Sequence, residues 1–349
     1  MAQVKFTAYT AAGVNMDTLH LGDLLGAEIL GARSDTLSLR VRVGYEVSLV
    51  GHDLTYDAGQ QLSGGVVNFL TINHPLYAIG ISGLNMSAAP FGGWVMQDAT
   101  QAALTTILSG TDWMNGSKGG DLLRGYAGND TLMGELGSDS VFGGAGDDII
   151  LAYTGTAIGG VVLADDNAAE GTNYLRGEEG NDLLYGSGSF DDMHGNMGED
   201  TLHGGNGDDW VVGGQGNDLL FGDAGGDIVY GNLGNDTQFG GDGFDWVRGG
   251  QGSDSLDGGA GDDWLWGDRG DDTVTGGAGA DIFHIFTGGG LDRVTDFNYA
   301  QGDRVVIDYG TYTVSQVGAD TVVDLGGGDR MVLVGVTVSS LPAGWISTL

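Results

Sequence analysis

A nine-residue repeat runs through the middle of the chain: two glycines, any residue, glycine, any residue, aspartate, any residue, a large apolar residue and any residue. Two clear copies are residues 204–212 and 258–266. Four repeats follow one another without a break over 116–151, and twelve more over 177–284. A fixed nine-residue period with an obligatory carboxylate constrains the fold and the ligand together.

Composition excludes several classes of protein. Glycine makes up 70 of the 349 residues, but there are only three prolines and no Gly-X-Y period, so the chain is not collagen. The formal net charge is −36 with no basic patch to neutralise phosphates, which argues against nucleic-acid binding. The chain contains no cysteine, no apolar stretch of membrane-spanning length and no signal-peptide core at residues 1–7.

Each repeat divides into a glycine-rich turn at positions 1–6 and a short strand at positions 7–9. Glycines at positions 1, 2 and 4 permit positive backbone dihedrals, so carbonyl oxygens can converge, and the apolar position 8 predicts an inward side chain. If two repeats form one coil, repeats 18 residues apart stack at about 4.8 Å and their aspartates face each other. Carboxylates and carbonyls together supply the hard oxygens of a Ca²⁺ site, whereas Mg²⁺ fits less well because it demands tight octahedral geometry.

Residues 107–284 resemble the RTX family of calcium-binding proteins exported by type I secretion, and residues 280–297 resemble the family's usual exit from the repeats. The resemblance implies an all-β fold: a right-handed parallel β-roll, or β-solenoid, with several bound calcium ions. It also implies calcium-driven folding outside the cell, a secreted or cell-surface location, and an uncleaved C-terminal export signal.

By the family pattern, the calcium ligands are the position-6 carboxylates. They are Asp121, Asp130, Asp139, Asp148, Asp182, Asp191, Asp200, Asp209, Asp218, Asp227, Asp236, Asp245, Asp254, Asp263, Asp272 and Asp281. Three departures from the pattern occur: Gln238 replaces an inward apolar residue, Ser189 replaces a fourth glycine, and Asn173 stands where aspartate belongs. Turns at the ends of the stack lack a partner, so some carboxylates are expected to form half-sites.

The chain is predicted to have three parts. Residues 1–106 form a small, mainly β N-terminal region, and residues 107–284 form the β-roll with a loop inserted at 152–167. Residues 285–349 form a C-terminal cap of β-strands that carries the secretion signal.

Local patterns predict elements outside the repeats. Alternation of apolar residues over 36–71 indicates strands, and a short helix near 98–108 would cap the open end of the stack. Residues 107–115 form an imperfect first repeat that includes Asp112. Four strands are expected after the repeats, at 304–308, 312–317, 321–325 and 331–336.

Outward positions 7 and 9 carry large apolar residues on one side of the roll. They predict an interaction surface of Trp210, Ile228, Tyr230, Trp246, Trp264 and Trp266. A row this apolar is too extensive for ordinary exposed surface. Either the C-terminal strands or the loop at 152–167 cover it within the chain, or it packs against another subunit or a surface polymer.

No catalytic residue is predicted. The six histidines include no His-Glu-x-x-His pair, and residues 80–83 lack the Gly-x-Ser-x-Gly spacing of a lipase nucleophile. The preferred interpretation is a non-enzymatic extracellular structural component (surface layer, filament or biofilm matrix) that folds and self-assembles on calcium. One alternative is an adhesin that binds a carbohydrate or another surface through the tryptophan row. The other is a hydrolase with an unrecognised N-terminal site.

The expected partners follow from this interpretation. They are calcium, further copies of the chain or a cell-surface or matrix polymer, and the type I secretion machinery during export. Neither nucleic acid nor a membrane span is expected.

Overall fold

The structure is a computed structural model. It describes residues 120–152 and 171–349 continuously and, elsewhere, only strand segments, at 3–8, 28–32, 36–41, 45–56, 62–74, 77–87, 111–117, 156–158 and 161–163. The helix predicted near 98–108 lies outside the described residues. The chain folds as two compact units: an N-terminal unit, Met1–Asp165 with Glu170–Leu175, and a C-terminal unit, Asp166–Ala169 with Arg176–Leu349.

The N-terminal unit begins with six strands that pair antiparallel. They are β1 (Gln3–Ala8), β2 (Glu28–Ala32), β3 (Thr36–Val41), β4 (Tyr45–Tyr56), β5 (Leu62–His74) and β6 (Tyr77–Ser87). Each strand from β2 to β5 pairs with the next, and β6 pairs with β1. The described residues of the segment 36–71, where apolar residues alternate, therefore lie in strands.

Parallel pairing begins at β1, which also lies beside the first strand of the roll. The roll strands of this unit are β7 (Thr111–Ser117), β8 (Leu122–Ala127), β9 (Thr131–Glu135), β10 (Ser140–Ala145) and β11 (Ile149–Leu151). In this unit β7, β9 and β11 pair in one sheet, and β8 pairs with β10 in the other.

The interval predicted as a loop contains regular structure. Within it β12 (Thr156–Ile158) and β13 (Val161–Leu163) pair antiparallel. Two short apolar runs separated by two glycines have the sequence of a hairpin, and this explains the pairing.

The C-terminal unit contains the long stack of repeats. Strand β14 (Asn173–Glu179) is divided between the units, with residues 173–175 in the N-terminal unit and residues 176–179 in this one. The other strands of the C-terminal unit are β15 (Leu183–Tyr185), β16 (Asp191–Met197), β17 (Thr201–Asn206), β18 (Trp210–Gln215), β19 (Leu219–Ala224), β20 (Ile228–Leu233), β21 (Thr237–Asp242), β22 (Trp246–Gln251), β23 (Ser255–Ala260), β24 (Trp264–Arg269), β25 (Thr273–Ala278) and β26 (Ile282–Ile285). Strands β15 to β25 with odd numbers form one parallel sheet, here called the odd-strand sheet. Strands β16 to β26 with even numbers form the even-strand sheet. Partners lie 18 residues apart, as Trp246 and Trp264 do, so two repeats make one coil.

The stack continues past the last repeat. The remaining elements are β27 (Leu291–Val294), β28 (Arg304–Ile307), β29 (Thr313–Val317), β30 (Asp320–Gly326), β31 (Asp329–Leu333), a 3-10 helix (Val338–Ser340) and β32 (Ile346–Thr348). Strands β27 and β31 extend the odd-strand sheet in parallel, and β28 and β32 extend the even-strand sheet. Strands β29, β30 and β31 form an antiparallel meander. The four strands expected after the repeats correspond to β28, β29, β30 and β31.

The interior of the roll consists of position-8 side chains, as predicted. The buried set is Leu123, Leu132, Val141, Ile150, Leu184, Met193, Leu202, Val211, Leu220, Val229, Val247, Leu256, Leu265, Val274 and Phe283. Val294, Val305 and Leu333 continue this interior beyond the repeats. Each such side chain contributes about 1.5–3 kcal/mol when it is fully buried. The described part of the chain is thus an all-β, parallel β-solenoid, and no helix in that part is long and apolar enough to cross a membrane.

Candidate metal centres

The predicted ligand aspartates are all buried, and none exposes more than 4% of its surface. In the C-terminal unit they form two columns, one beside each sheet. The column beside the odd-strand sheet consists of Asp182, Asp200, Asp218, Asp236, Asp254 and Asp272, and the other of Asp191, Asp209, Asp227, Asp245, Asp263 and Asp281. The 18-residue coil therefore stacks carboxylates above one another, because position 6 recurs at the same point of every turn.

One carboxylate oxygen of each stacked pair holds the backbone of the neighbouring turn. The backbone N–H of Asp200 donates to Oδ1 of Asp218 at 2.9 Å. In the other column the N–H of Asp245 donates to Oδ1 of Asp263 at 3.0 Å. Successive aspartates therefore face each other, as the sequence predicts.

The second carboxylate oxygen has a different environment. Within the described part of the chain, Oδ2 is buried and has no hydrogen-bond partner in Asp130, Asp200, Asp209, Asp218, Asp227, Asp236, Asp245, Asp254, Asp263, Asp272 and Asp281. A carboxylate oxygen held away from water without a partner is unfavourable, and protein sites compensate such groups with a proton or a cation.

Backbone carbonyls converge on these oxygens. A Cβ built on Gly258 would lie 2.6 Å from Oδ2 of Asp263 and 2.7 Å from the carbonyl oxygen of Gly276. At Gly222, Gly240 and Gly249 the nearby carbonyl likewise belongs to the glycine 18 residues later, so the converging oxygens come from two successive turns. Only glycine fits at position 1, because the oxygens occupy the space that a side chain would need.

The glycine at position 4 of the repeat has a separate role in the turn. Gly261 has φ +150, and a Cβ at this position would overlap the carbonyl oxygen of Gly243 in the preceding turn. Both the backbone conformation and the close approach therefore require glycine here.

Burial raises the pKa of the column carboxyls. The pKa of Asp209 and of Asp227 rises to about 8, and that of Asp218 and of Asp254 to about 7. Desolvation is the largest cause, and the charge of neighbouring aspartates raises the pKa further. The N–H of the preceding aspartate partly offsets this rise. At neutral pH each column therefore needs positive charge, from protons or from cations.

The available donors fit Ca²⁺. Among the residues that the structure describes, no group of three or more His, Cys, Asp or Glu side chains could by itself hold a metal ion. The donors that converge are aspartate Oδ2 atoms and backbone carbonyls, which are the hard oxygens that Ca²⁺ takes in sets of six to eight.

The repeats match the model of the RTX calcium-binding nonapeptide repeat, over residues 108–141, 125–156, 167–202, 203–238, 239–274, 249–283 and 258–294. These segments cover about half of the chain. The chain belongs to the RTX calcium-binding nonapeptide repeat family. The buried aspartate columns are thus part of an RTX calcium-binding β-roll.

Several solved structures are similar to this RTX chain. The extracellular lipase LipA from Serratia marcescens matches with 17% identity and a TM-score of 0.27, covering 57% of this chain and 44% of the lipase. The AlgE6R2 subunit of the Azotobacter vinelandii mannuronan C5-epimerase matches with 25% identity and a TM-score of 0.24, covering 40% of this chain and 91% of that subunit. The AlgE6R3 subunit of the same epimerase matches with 21% identity and a TM-score of 0.19, covering 52% and 83%. None of the curated proteins matches the chain significantly.

Both aspartate columns extend beyond the predicted set. Oδ1 of Asp292 accepts the N–H of Asp272 at 3.4 Å, and Oδ1 of Asp303 accepts the N–H of Asp281 at 3.2 Å. Sequence reasoning missed both residues because no Gly-Gly-x-Gly turn precedes them. Two signals are available in the sequence: Gly288 and Gly290 match positions 2 and 4 of a repeat before Asp292, and the Asp-x-Val pattern at Asp292 and at Asp303 matches positions 6–8.

Within the N-terminal unit, the imperfect repeats stack their position-6 side chains in the same way. The N–H of Asp112 donates to Oδ1 of Asp130 at 2.8 Å. Oδ1 of Asn173 accepts the N–H of Asp139 at 3.0 Å. Asn173 thus takes the structural place of an aspartate but brings no negative charge.

The predicted interaction residues lie together on the outer side of the even-strand sheet, and we call this surface the tryptophan face (Trp210, Ile228, Tyr230, Trp246, Trp264 and Trp266). Trp210 is 48% exposed and Trp246 is 40% exposed. The rings of Trp246 and Trp264 are stacked at 5.2 Å and 11°. Trp266 stacks on His284 at 3.9 Å.

Charges beside the tryptophan face are paired. Arg248 forms two hydrogen bonds with Asp268, at 3.0 and 2.9 Å, and lies against the rings of Tyr230 and Trp266. Nδ1 of His284 lies 2.7 Å from Oδ1 of Asp308. The face is therefore aromatic and contains paired charges, in contrast to the strongly acidic chain as a whole.

A second aromatic ladder lies on the odd-strand sheet. The rings of Tyr185, His203, Phe221 and Phe239 stack in sequence at 4.8, 4.3 and 5.0 Å, with interplanar angles of 2°, 3° and 6°. The site prediction did not include this ladder, although the 18-residue spacing of its four rings is visible in the sequence.

Proposed function

We propose that this RTX protein is a secreted, non-enzymatic structural component, of a surface layer, filament or biofilm matrix. It folds when calcium reaches it outside the cell and then associates with further copies of itself. The observation that carries the proposal is the combination, in one unit, of two features. One is a set of buried aspartates, from Asp200 to Asp281, whose Oδ2 atoms have no hydrogen-bond partner among the described residues, and the other is the tryptophan face, with Trp210 and Trp246 exposed.

In the folding step we assign the sixteen predicted aspartates as calcium ligands. Bound calcium supplies the positive charge that compensates their buried carboxylates. The protein's own groups provide the frame: Oδ1 of each aspartate holds the preceding turn, and Oδ2 meets a carbonyl of the following turn. Extracellular calcium modules work at dissociation constants of about 10⁻⁴–10⁻³ M, so calcium outside the cell suffices to fold such a stack. We further propose that the type I secretion machinery exports the chain before it folds.

In the assembly step the partner is a second copy of the chain, meeting it at the tryptophan face. Two copies that each carry a net charge of −36 repel each other across most of their surfaces. The tryptophan face is favoured for contact because Arg248 is paired with Asp268 there and its apolar rings are exposed. Trp, Tyr and Arg are also the residues that dominate binding energy at protein interfaces.

The exposed tryptophans also support the alternative of a carbohydrate-binding adhesin. A sugar ring stacks on the flat face of an aromatic side chain. The rings of Trp246 and Trp264 instead stack on each other at 5.2 Å, so each covers one face of the other. This arrangement favours a protein surface as the partner. The hydrolase alternative depends on residues 1–106, whose side chains lie outside the described residues.

Calcium titration of the purified protein tests both steps. We expect calcium to produce β-strand circular dichroism first and light scattering from assemblies afterwards. Trp246→Asp should keep the calcium-induced strand signal and lose the scattering, because a charge on the tryptophan face opposes contact. The matched control is Phe239→Asp on the odd-strand sheet, which should still assemble. Scattering that survives in Trp246→Asp, or wild-type protein that stays monomeric with calcium, would contradict the assembly step.

A further inference from the structure

The interior of the roll contains one amide in a place where other repeats carry an apolar side chain. Gln238 occupies position 8 of β21 and is fully buried. Its register partners in the adjacent strands are Leu220 and Leu256. Burying an amide among apolar side chains is unfavourable unless both of its polar ends find partners.

Only one end of this amide is satisfied by the protein. Nε2 of Gln238 donates to the carbonyl oxygen of Arg248 at 2.7 Å. Oε1 is buried and has no hydrogen-bond partner among the described residues. The sequence therefore keeps an unpaired amide oxygen in the core, in addition to the unpaired Oδ2 of Asp236.

The amide lies at a metal centre. A Cβ built on Gly231 would lie 2.6 Å from Nε2 of Gln238 and 2.6 Å from the carbonyl oxygen of Gly249, and it would also meet Oδ2 of Asp236. At the equivalent point of the next turn, Gly249, the three nearest atoms belong to Asp254 and Gly267. Gln238 thus adds a polar side chain to a point where the next turn has only a carboxylate and a carbonyl.

We propose that Gln238 is an additional calcium ligand, and that its amide oxygen joins Oδ2 of Asp236 and the carbonyl oxygen of Gly249 in one site. This inference rests on the proposed calcium-binding role of the aspartate columns. A half-turn of the terminal amide torsion exchanges Oε1 and Nε2, which are nearly equal in size and bonding geometry. The oxygen then takes the place that Nε2 occupies, beside the converging oxygens.

The same half-turn brings a further donor to the site. It places the amide oxygen about where Nε2 now lies, 2.7 Å from the carbonyl oxygen of Arg248. Two oxygens this close repel each other unless a cation touches both, and Ca²⁺ ligands at about 2.3–2.6 Å from the ion are often separated by such distances. Calcium therefore drives the amide from donating a hydrogen bond to coordinating the ion. The Asp236 site gains ligands without added charge.

Crystals of the full chain grown at limiting calcium test this directly. In the wild type we expect an ion at Asp236 with the Gln238 oxygen at about 2.3–2.6 Å. In Gln238→Leu, which restores the residue type of Leu220 and Leu256, the anomalous peak at Asp236 should fall relative to those at Asp218 and Asp254 in the same crystal. Loss of the ligand should weaken this site about tenfold or more.

A transplanted amide is the matched control. Leu256→Gln places the same side chain beside Asp254, one turn later, and should raise the relative occupancy of that site. An ion at Asp236 with the amide oxygen out of bonding reach, or unchanged relative occupancy in Gln238→Leu, overturns the inference. Wild-type protein that shows no ion in either column would instead refute the proposed calcium-dependent function.

Discussion

The repeats at 177–284 and the segment that follows them, at 285–349, build the same parallel stack by different means. In the repeats every step is 18 residues, and a glycine turn with a buried aspartate separates the strands. After Phe283 the partners lie further apart in sequence: Val274 pairs with Val294, and Val305 with Ile346. The interior remains apolar throughout, and the last glycine turn of the repeat type precedes Asp292, where a Cβ at Gly290 would overlap the carbonyl oxygen of Gly270.

The column aspartates of the two regions also differ in their hydrogen bonds. In the repeats Oδ2 of Asp263 is buried without a hydrogen-bond partner within the described part of the chain. In Asp303 both oxygens accept backbone N–H groups, Oδ1 from Asp281 and Oδ2 from Asn298 at 3.2 and 2.7 Å. Asp303 is therefore suited to ending a column, whereas Asp263 is suited to holding a cation. Parallel stacking with an apolar interior thus continues after the aspartate columns end at Asp292 and Asp303.

Removing calcium should produce the largest difference between the two regions, in the protection of their backbone amides. With a chelator at neutral pH we expect the repeat strands to lose amide protection, because carboxylate repulsion and desolvation are no longer compensated. Strands β28 and β31, whose interior positions are Val305 and Leu333, should retain more protection. Hydrogen exchange with peptide-level resolution measures this, and equal loss in both regions would show that the C-terminal segment depends on the repeats for its fold.

In calcium-free protein, pH should have the next largest effect on the stability of the folded repeats. The folded-state pKa values of Asp209, Asp227 and Asp254, about 7–8, lie above the ordinary value of 3.8, so the folded repeats bind more protons than the unfolded chain between these values. The protons' contribution to stability is full below pH 3.8 and is lost as pH rises through about 7–8. Circular dichroism of chelator-stripped protein should show more strand at pH 5.5 than at pH 8.5, and the opposite trend would contradict the assignment.

Glycine substitutions should lower the free energy of unfolding by different amounts in the two regions. Gly261 in the repeats and Gly328 after them both have positive φ, at +150 and +116. A Cβ at Gly328 meets nothing within 4 Å, so Gly328→Ala should cost only backbone strain, about 1–3 kcal/mol. Gly261→Ala adds an overlap with the carbonyl of Gly243 and should cost at least about 1–3 kcal/mol more. Urea unfolding with saturating calcium measures the difference, and equal costs would show that the stacked turns can move apart.

The smallest expected difference is in the calcium midpoint of folding, between variants of two aspartates in one column. Asp263→Asn should shift the calcium midpoint of folding upward, because it weakens sites on both sides of its turn. Asp303→Asn should shift that midpoint less, because backbone N–H groups already occupy both of its oxygens. Calcium titrations followed by circular dichroism compare the two variants. A larger shift for Asp303→Asn would contradict this expectation and indicate that Asp303 is a calcium ligand.

The repeats were predictable because one short period determines burial and register together. The alternation that buries Asp263 and Leu265 and leaves Trp264 partly exposed follows from the strand geometry of positions 6–8. The stacking of aspartates 18 residues apart follows from the same period, and the structure confirms it for Asp200 and Asp218.

The remaining features depend on contacts that no local pattern specifies. The pairing of β27 with β31 and of β28 with β32 depends on loops of unequal length, which have no periodic signal. Asp292 and Asp303 join the columns only because those loops bring the chain back to the level of the next turn of the stack. The role of Gln238 could not be read from the sequence, where it is only a break in the apolar pattern. Its proximity to Asp236 requires coordinates.

The hydrogen bonds of the aspartate columns give the stack a direction. The N–H of Asp254 donates to a carboxylate in the following turn, and its carbonyl accepts the N–H of Thr273 in that same turn. The position-6 aspartate of a turn thus finds the partners of its backbone N–H and C=O groups in the following turn. Trimming the chain from its C-terminal end would leave each new last turn with two unmatched groups, and the coil would unravel one rung at a time. Trimming the repeats from the opposite side would leave different groups unmatched: a carboxylate Oδ1 and the N–H of position 7, as in Asp272 and Thr273.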